Sequence, residues 1–330
     1  MRPSSGRPVI LDGMTTPPWT TKHELLVGIA LRQGGAVSRR QAAQCGFDHD
    51  AVAWQLRRGR WAVHGRATLA LDRNPLGTVA QRWRAVWETG EGALLDGVSA
   101  LTAAGMVGFD EPRQHVSVVH NRRAPRTSHV VVHKVIRRVD REVANHANGA
   151  LPMTRADVAA LRGARWAVSD RQAVLILAMA VQQRLVNPGQ LAAAHRIAPG
   201  RRRRRLISLV IGDLAGGAQS LGELDFALMC RRRGLPEPSR QVVVEGARGR
   251  IYLDVRWEEF GLVVEIDGAG HRWGLAVTDD NLRMNSLVLG DDLVLRIDVL
   301  GLRIHGDEFM NQVAQGLAAR HRRQRPRLAS

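Results

Sequence analysis

Three short apolar segments, Gln241 to Val244, Ile251 to Val255 and Leu262 to Ile266, follow one another with only tight connections between them. That pattern predicts consecutive strands of one sheet. Two of them carry acids inside the apolar run: Leu253-Asp254-Val255, and Val263-Val264-Glu265-Ile266-Asp267-Gly268, with His271 following. Because strand side chains alternate faces with period two, carboxylates on segments joined by a tight turn are expected to converge on one side of the sheet. A strand interior disfavours Asp, and an unpaired buried carboxylate is costly. Asp254 and Glu265 therefore read as ligands of a hard cation, Mg²⁺ or Mn²⁺, which takes oxygen donors.

The flanks extend the pattern to α-β-β-β-α-β-α over residues 220–320. Ser220-Leu221-Gly222-Glu223 has capping-box spacing and starts a helix that Leu235-Pro236 stops. Glu223 is then either the third residue of that box or a further metal ligand. A helix is expected from Asp279 to Leu289, a strand from Leu293 to Ile297 and a last helix from Phe309 to Leu317, before a basic tail, 321–330. Trp257-Glu258-Glu259-Phe260-Gly261 is an acidic turn that repels a phosphate brought close to it.

Charge is distributed unevenly around this region. The 330 residues carry a formal charge of +17, and the first 220 hold 32 Lys and Arg against 15 Asp and Glu. Residues 221–330 hold 16 of each, so all the excess lies outside the carboxylate segment. A polyanionic partner, most simply DNA, fits that sign, and RNA presents the same phosphates. The two cysteines, Cys45 and Cys230, lie far apart and support neither a disulfide framework nor a zinc site. No early apolar run resembles a signal peptide, and none approaches the ~20 residues of a membrane span, so a soluble, cytoplasmic protein is expected.

The N-terminal 72 residues carry the clearest local signals. Pro3, Pro8, Pro17 and Pro18 mark 1–20 as a flexible tail. Thr21 to Glu24 and Ser38 to Gln41 have capping spacing, and Asp48 opens a third helix through Val52, Trp54 and Leu56. Trp61 to Val63 and Thr68 to Leu71 follow as a two-stranded wing, giving a winged helix-turn-helix over 21–72. In that arrangement Arg39, Arg40, Arg57, Arg58, Arg60 and Arg66 are the candidate nucleic-acid contacts.

Residues 78–215 read as a mixed α/β middle domain. A helix from Thr78 buries Trp83 and Trp87 or Val79 and Val86, and another spans Ser99 to Ala104. Two β-rich runs, 115–119 and 129–133, place His129 and His133 on one face, where exposed strand histidines are the better reading than a metal pair. From Thr154 to Leu191 the pattern is helical, broken at Asn187-Pro188-Gly189. Arg201 to Arg205 is the densest charge run and opens another helix, as a phosphate clamp or as a solvated face.

Glu265-x-Asp267-Gly268 with His271, then Asp280, Arg283, Leu287, Gly290 and Val294-Leu295-Arg296, resembles the domain of unknown function 559 type. That group is a Vsr-like branch of the PD-(D/E)xK endonucleases. Residues 1–215, with the winged helix, the strand pair and Asp170, resemble AbiEi antitoxin-type regions that precede such domains in actinobacterial proteins. The resemblance implies an α+β multidomain chain with a restriction-endonuclease-like C-terminal domain. It implies Asp254 and Glu265 as metal ligands, Glu223 as a further one, and Asp267 and His271 as catalytic neighbours. Arg272 or Arg283 then neutralises the scissile phosphate. The signature lysine is replaced by Asp267, and residues 221–330 contain no lysine. Two functions follow as expectations: a divalent-metal-dependent DNA endonuclease, or a non-catalytic DNA-binding regulator of type IV antitoxin kind with a degenerate nuclease domain and a toxin partner still to be named.

Overall fold

The structure is a computed structural model that describes residues 10–11, 14–15, 19–125, 127–136, 142–144, 149–198, 200–216, 226–246, 250–267 and 294–324. The chain is α+β and divides into two compact units. The first comprises residues 1–103 and 108–155, the second residues 104–107 and 156–330. The expected middle segment, 78–215, is thus shared: its strands belong to the first unit and its later helices to the second.

The first unit begins with a short antiparallel pair, β1 (Ile10–Leu11) and β2 (Met14–Thr15), inside the stretch expected to be a flexible tail. Then come α1 (Trp19–Arg32), β3 (Ala36–Ser38), α2 (Arg39–Gln44), α3 (His49–Arg57), β4 (Ala62–Val63) and β5 (Thr68–Ala70). Local chemistry sets the boundaries. The Ser38 side chain accepts from Gln41 N while Gln41 reaches back, and Asp48 accepts from Ala51 N, so each helix start has its orphan donors satisfied. Both starts match the sequence expectation. Strand β3, three buried residues paired with β5, was not expected and makes the sheet three-stranded in the order β3-β5-β4. Leu26, Val37, Phe47, Val52, Trp61 and Leu69 form the core of this part, with Phe47 and Trp61 5.2 Å apart.

In the rest of this unit, α4 (Thr78–Thr89) buries Trp83 and Val86 and leaves Val79 exposed. It packs, with α5 (Gly97–Ala103), on a sheet of β6 (Leu94–Leu95), β7 (Gln114–Val119) and β8 (Val130–Val135). Strands β7 and β8 are parallel, so residues 120–129 must cross from one end of the pair to the other.

The second unit opens with α6 (Ala156–Trp166), α7 (Asp170–Gln182), α8 (Pro188–Ile197), α9 (Arg204–Gly216) and α10 (Phe226–Arg232). A four-stranded sheet follows, β9 (Arg240–Gly246), β10 (Arg250–Trp257), β11 (Leu262–Asp267) and β12 (Val294–Asp298), in the order β12-β11-β10-β9. The first three strands form the expected antiparallel meander, and β12 returns parallel to β11. The expected helix over 279–289 lies outside the described residues. Helices α11 (Val299–Ile304) and α12 (Gly306–Gln324) complete the chain, the latter running into the stretch expected to be a tail.

One face of this sheet is core: Leu253, Val255, Trp257, Leu262, Val264, Ile266, Leu295 and Ile297 are all buried. Trp257 donates to Pro236 O and meets Phe226 edge-on. Helix α12 packs on β11, with Phe309 and Val313 buried. Asp213 on α9, itself buried, pairs with Arg303 at 3.2 Å and ties the helices to α11. Both cysteines are free, and burial together with Glu237 pushes the Cys230 thiol up to about 11, so it stays protonated and unreactive. Among the described residues no helix is long and apolar enough to cross a membrane.

Candidate functional site

Strand alternation forces the acids to the face opposite the core. Asp254 on β10 lies directly across from Glu265 on β11, and Glu265 lies beside Arg296 on β12. The three form one row across the sheet. Register across β10 and β11 is set by the turn at residues 258–261, which leaves Trp257 opposite Leu262 and so fixes every pair behind it.

Directly opposed like charges destabilise a strand pair unless something neutralises them. Two arginines do so here. Arg256 reaches back to Asp254, with Nε and Nη2 at 2.9 and 2.8 Å from Oδ2. Arg296 Nε lies 3.5 Å from Glu265 Oε2. The second oxygen of Asp254, Oδ1, is buried and makes no hydrogen bond among the described residues. Asp254 is 13% exposed and Glu265 34%, against 46% for Arg256 and 62% for Arg296, so the carboxylates lie beneath a more open layer of guanidinium.

Asp267 is on the same face, two residues beyond Glu265 and ~7 Å along the strand, and is buried. Its neighbour in register is Asp298, which caps the start of α11 by accepting from Gly301 N. The structure thus joins Asp254 with Glu265 and sets Asp267 one step away. Glu223, His271, Arg272 and Arg283 lie outside the described residues. Among the described residues, no group of three or more His, Cys, Asp or Glu is arranged to hold a metal ion. Sequence reasoning passed over Arg256 and named Arg296 only within the motif, without its pairing to Glu265, although alternation from Asp254 points Arg256 to the same face.

The candidate arginines of the N-terminal arrangement are all exposed: Arg39 and Arg40 at the start of α2, Arg57 and Arg58 at the end of α3, then Arg60 and Arg66. Arg39 Nε donates to Arg66 O at 3.0 Å. Arg58 and Arg60 both stack on Trp54, with their guanidinium carbons 5.2 and 5.3 Å from the ring centre. Trp54 is 38% exposed, although it was expected among the apolar residues of its helix. Its position explains the exposure: Trp54 is two residues from Val52 and from Leu56, and residues two apart do not share a helix face.

The histidine reading is corrected. His129 precedes β8 in a left-handed turn, at φ +64°, so it is not a strand residue. His133 is half-buried and its Nε2 lies 3.1 Å from Nδ1 of His115 on β7. Burial lowers the His115 pKa and Arg113 adds to this, while Glu111 and Asp96 oppose it.

The run Arg201 to Arg205 is only partly solvated. Arg203 donates to Asp170 Oδ1 at 2.7 Å and to the carbonyls of Arg165 and Ala167 at 3.2 and 2.8 Å. Arg202 also reaches Ala167 O, and Arg204 reaches Ala198 O at 3.1 Å. These carbonyls terminate α6 and α8, where cations are favoured by the helix dipole and the unpaired acceptors.

No protein-family model matches the chain, and no curated protein matches it. Among solved structures it is similar to the Rv2827c protein of Mycobacterium tuberculosis, 15% identical over 59% of this chain and 76% of that one, with a TM-score of 0.38.

Proposed function

We propose that the chain is a metal-dependent DNA endonuclease-like protein, with a winged helix at residues 21–72 that targets duplex DNA and a restriction-endonuclease-like fold at 220–320. The observation that carries this reading is the opposed pair Asp254 and Glu265, with the buried, unsatisfied Oδ1 of Asp254. Oxygen donors of this kind suit Mg²⁺ or Mn²⁺, which need few protein ligands when a phosphate and waters fill the rest. Asp254 and Glu265 would hold the ion, with Glu223 as a third donor. The chemistry such an ion supplies is acidification of water and neutralisation of charge on phosphate oxygens.

This chain's own residues supply the rest. The apolar face of β10 and β11 fixes both carboxylates relative to each other. Arg256 and Arg296 can swing from the carboxylates to the bound phosphate, where a guanidinium makes paired charge-assisted hydrogen bonds. His271 is assigned to accept the proton of the attacking water. Arg39, Arg40, Arg57, Arg58, Arg60 and Arg66 hold the duplex by its phosphates.

A second reading, a DNA-binding regulator of type IV antitoxin kind whose nuclease fold is a scaffold, is favoured by one observation. At a site that lacks the signature lysine, the arginines already contact two of the four carboxylate oxygens, Asp254 Oδ2 and Glu265 Oε2. A cleavage panel separates the two: supercoiled, nicked, mismatched and single-stranded DNA, plus RNA, with Mg²⁺ or Mn²⁺ and then with chelator. Asp254→Ala and Glu265→Ala are expected to abolish metal-dependent cleavage while leaving duplex binding intact. Binding with a steep salt dependence, no cleavage on any substrate, and no effect of either substitution would install the regulator instead.

A further inference from the structure

Between the turn of β4 and β5 and the crossover from β7 to β8, the first unit has a groove of about 250 Å³. Arg66 lines one wall and Arg122 and Arg123 the other, with Glu88 and Glu91 between them. Of this lining the proposed function above uses Arg66 alone.

Its acids are already committed. Glu88, on α4, accepts from Arg66 N and Ala67 N at 2.9 Å each and from Thr68 Oγ1 at 2.7 Å. A side chain at Gly65 would collide with the Glu88 carboxylate, which is why glycine sits there. Glu91 is exposed and pairs loosely with Arg122 at 3.4 Å. The guanidinium groups of Arg66 and Arg123, by contrast, make no hydrogen bond or ion pair among the described residues.

The two walls also belong to one compact unit. Glu88 anchors the β4–β5 turn to α4, and α4 packs on β7, whose end carries Arg122 and Arg123. Because β7 and β8 are parallel, the chain between them has to make a long excursion, and Asn121-Arg122-Arg123-Ala124-Pro125 is its near half. Arg39, bonded to Arg66 O, continues the same basic strip onto α2. Cations without an internal partner that line a concave surface suit a polyanion.

We infer that this groove is a second phosphate-binding surface, in which Arg66, Arg122 and Arg123 grip the backbone of the duplex DNA that the winged helix engages. The inference rests on the DNA-binding reading and extends its footprint to a loop outside residues 21–72. The contacts are to phosphates, so they add affinity without choosing sequence.

The test is fluorescence anisotropy of the full chain on two unrelated duplexes of equal length, across a salt series. The double variant Arg122→Ala, Arg123→Ala should weaken both duplexes alike, by roughly 10- to 100-fold near ~0.1 M salt. The slope of log K against log salt should become shallower by about 1.8, the loss of ~2 phosphate contacts. Its thermal melt should match wild type. Glu91→Gln, which releases Arg122, should tighten binding several-fold. If the double variant leaves affinity and slope unchanged while Arg57→Ala, Arg58→Ala weakens binding, the groove is not a contact and the DNA-binding reading stands. If wild type binds no duplex, both fall together.

Discussion

Two arginine-rich stretches, Arg57 to Arg60 and Arg201 to Arg205, have almost the same composition and different partners. Arg57, Arg58 and Arg60 are exposed, and two of them are braced on Trp54. In the second stretch Arg202, Arg203 and Arg204 bind the carbonyl ends of α6 and α8, with Arg203 the least exposed, and the side chains of Arg201 and Arg205 make no bond among the described residues. What differs is what stands within reach. The first stretch follows a single helix, and its neighbour is an aromatic ring. The second threads between helix C-termini, whose unpaired carbonyls draw guanidinium inward. A charge run therefore names a surface only when no helix end competes for it.

The largest expected effect breaks the second stretch. Arg203 is 12% exposed, holds Asp170 and two carbonyls, and sits at φ +54°, where a non-glycine residue is strained. Arg203→Ala should cost about 3 kcal/mol of stability, since bonds from a charged donor contribute ~1.5–3 kcal/mol each and Asp170 is left in water. Chemical denaturation measures the loss. Arg57→Ala, on the first stretch, should move the midpoint hardly at all and act on duplex affinity instead. If the two substitutions destabilised equally, the contrast would be wrong.

A smaller effect sharpens the first stretch. Each exposed stacking contact of a guanidinium on an indole contributes ~0.5–1 kcal/mol, so Trp54→Ala should cost about 1 kcal/mol and unbrace Arg58 and Arg60. Under the DNA-binding reading, affinity falls several-fold while the salt slope stays the same, because no charge is lost. Arg58→Ala should instead reduce that slope by about 1. A Trp54→Ala protein with a shallower slope would mean that Trp54 does more than hold its neighbours.

What the sequence made legible follows the reach of each signal. The caps at Ser38 and Asp48 are local chemistry, and the structure has both. Alternation put Asp254 and Glu265 on one face, and the tight turn between their strands was enough to oppose them. Asn187-Pro188-Gly189 was read as a break, yet Asn187 and Gln190 form a capping box with Pro188 at the first helical position. The same residues end one pattern and begin the next, because proline's missing N–H costs nothing in a first turn. Strand β3 is too short for any periodicity, and its three residues are strand only because β5 pairs with them. The Asp254–Arg256 pair lies two residues apart on one strand, within the reach of alternation; the pairing of Arg296 with Glu265, and the bonds of Arg202 to Arg204 to helix-end carbonyls, depend on which elements meet in space, and no window of sequence contains that.

The smallest effect comes from pH, at the edge of the second stretch. His195 on α8 is buried, with Nε2 2.9 Å from Ser208 Oγ and Nδ1 making no hydrogen bond among the described residues. Its pKa is lowered from the ordinary 6.5, first by burial and then by Arg204 and Arg165, with a bond to the Arg204 backbone opposing. The unfolded chain therefore binds the His195 proton more readily than the folded one, and stability rises with pH across the interval between the two values. The contribution is complete above about pH 6.5, declines as pH falls below it, and levels off beneath the folded value. His195→Gln keeps a polar side chain without the titration, so its stability should lose that part of the slope. Arg204→Gln removes one of the two cations acting on His195, so the folded pKa should rise toward its ordinary value and the sensitive interval should narrow. A histidine titration followed by NMR in wild type and Arg204→Gln checks this directly. An unmoved His195 would leave burial and Arg165 as the causes and give Arg204 no electrostatic role there, while its bond to Ala198 O stood.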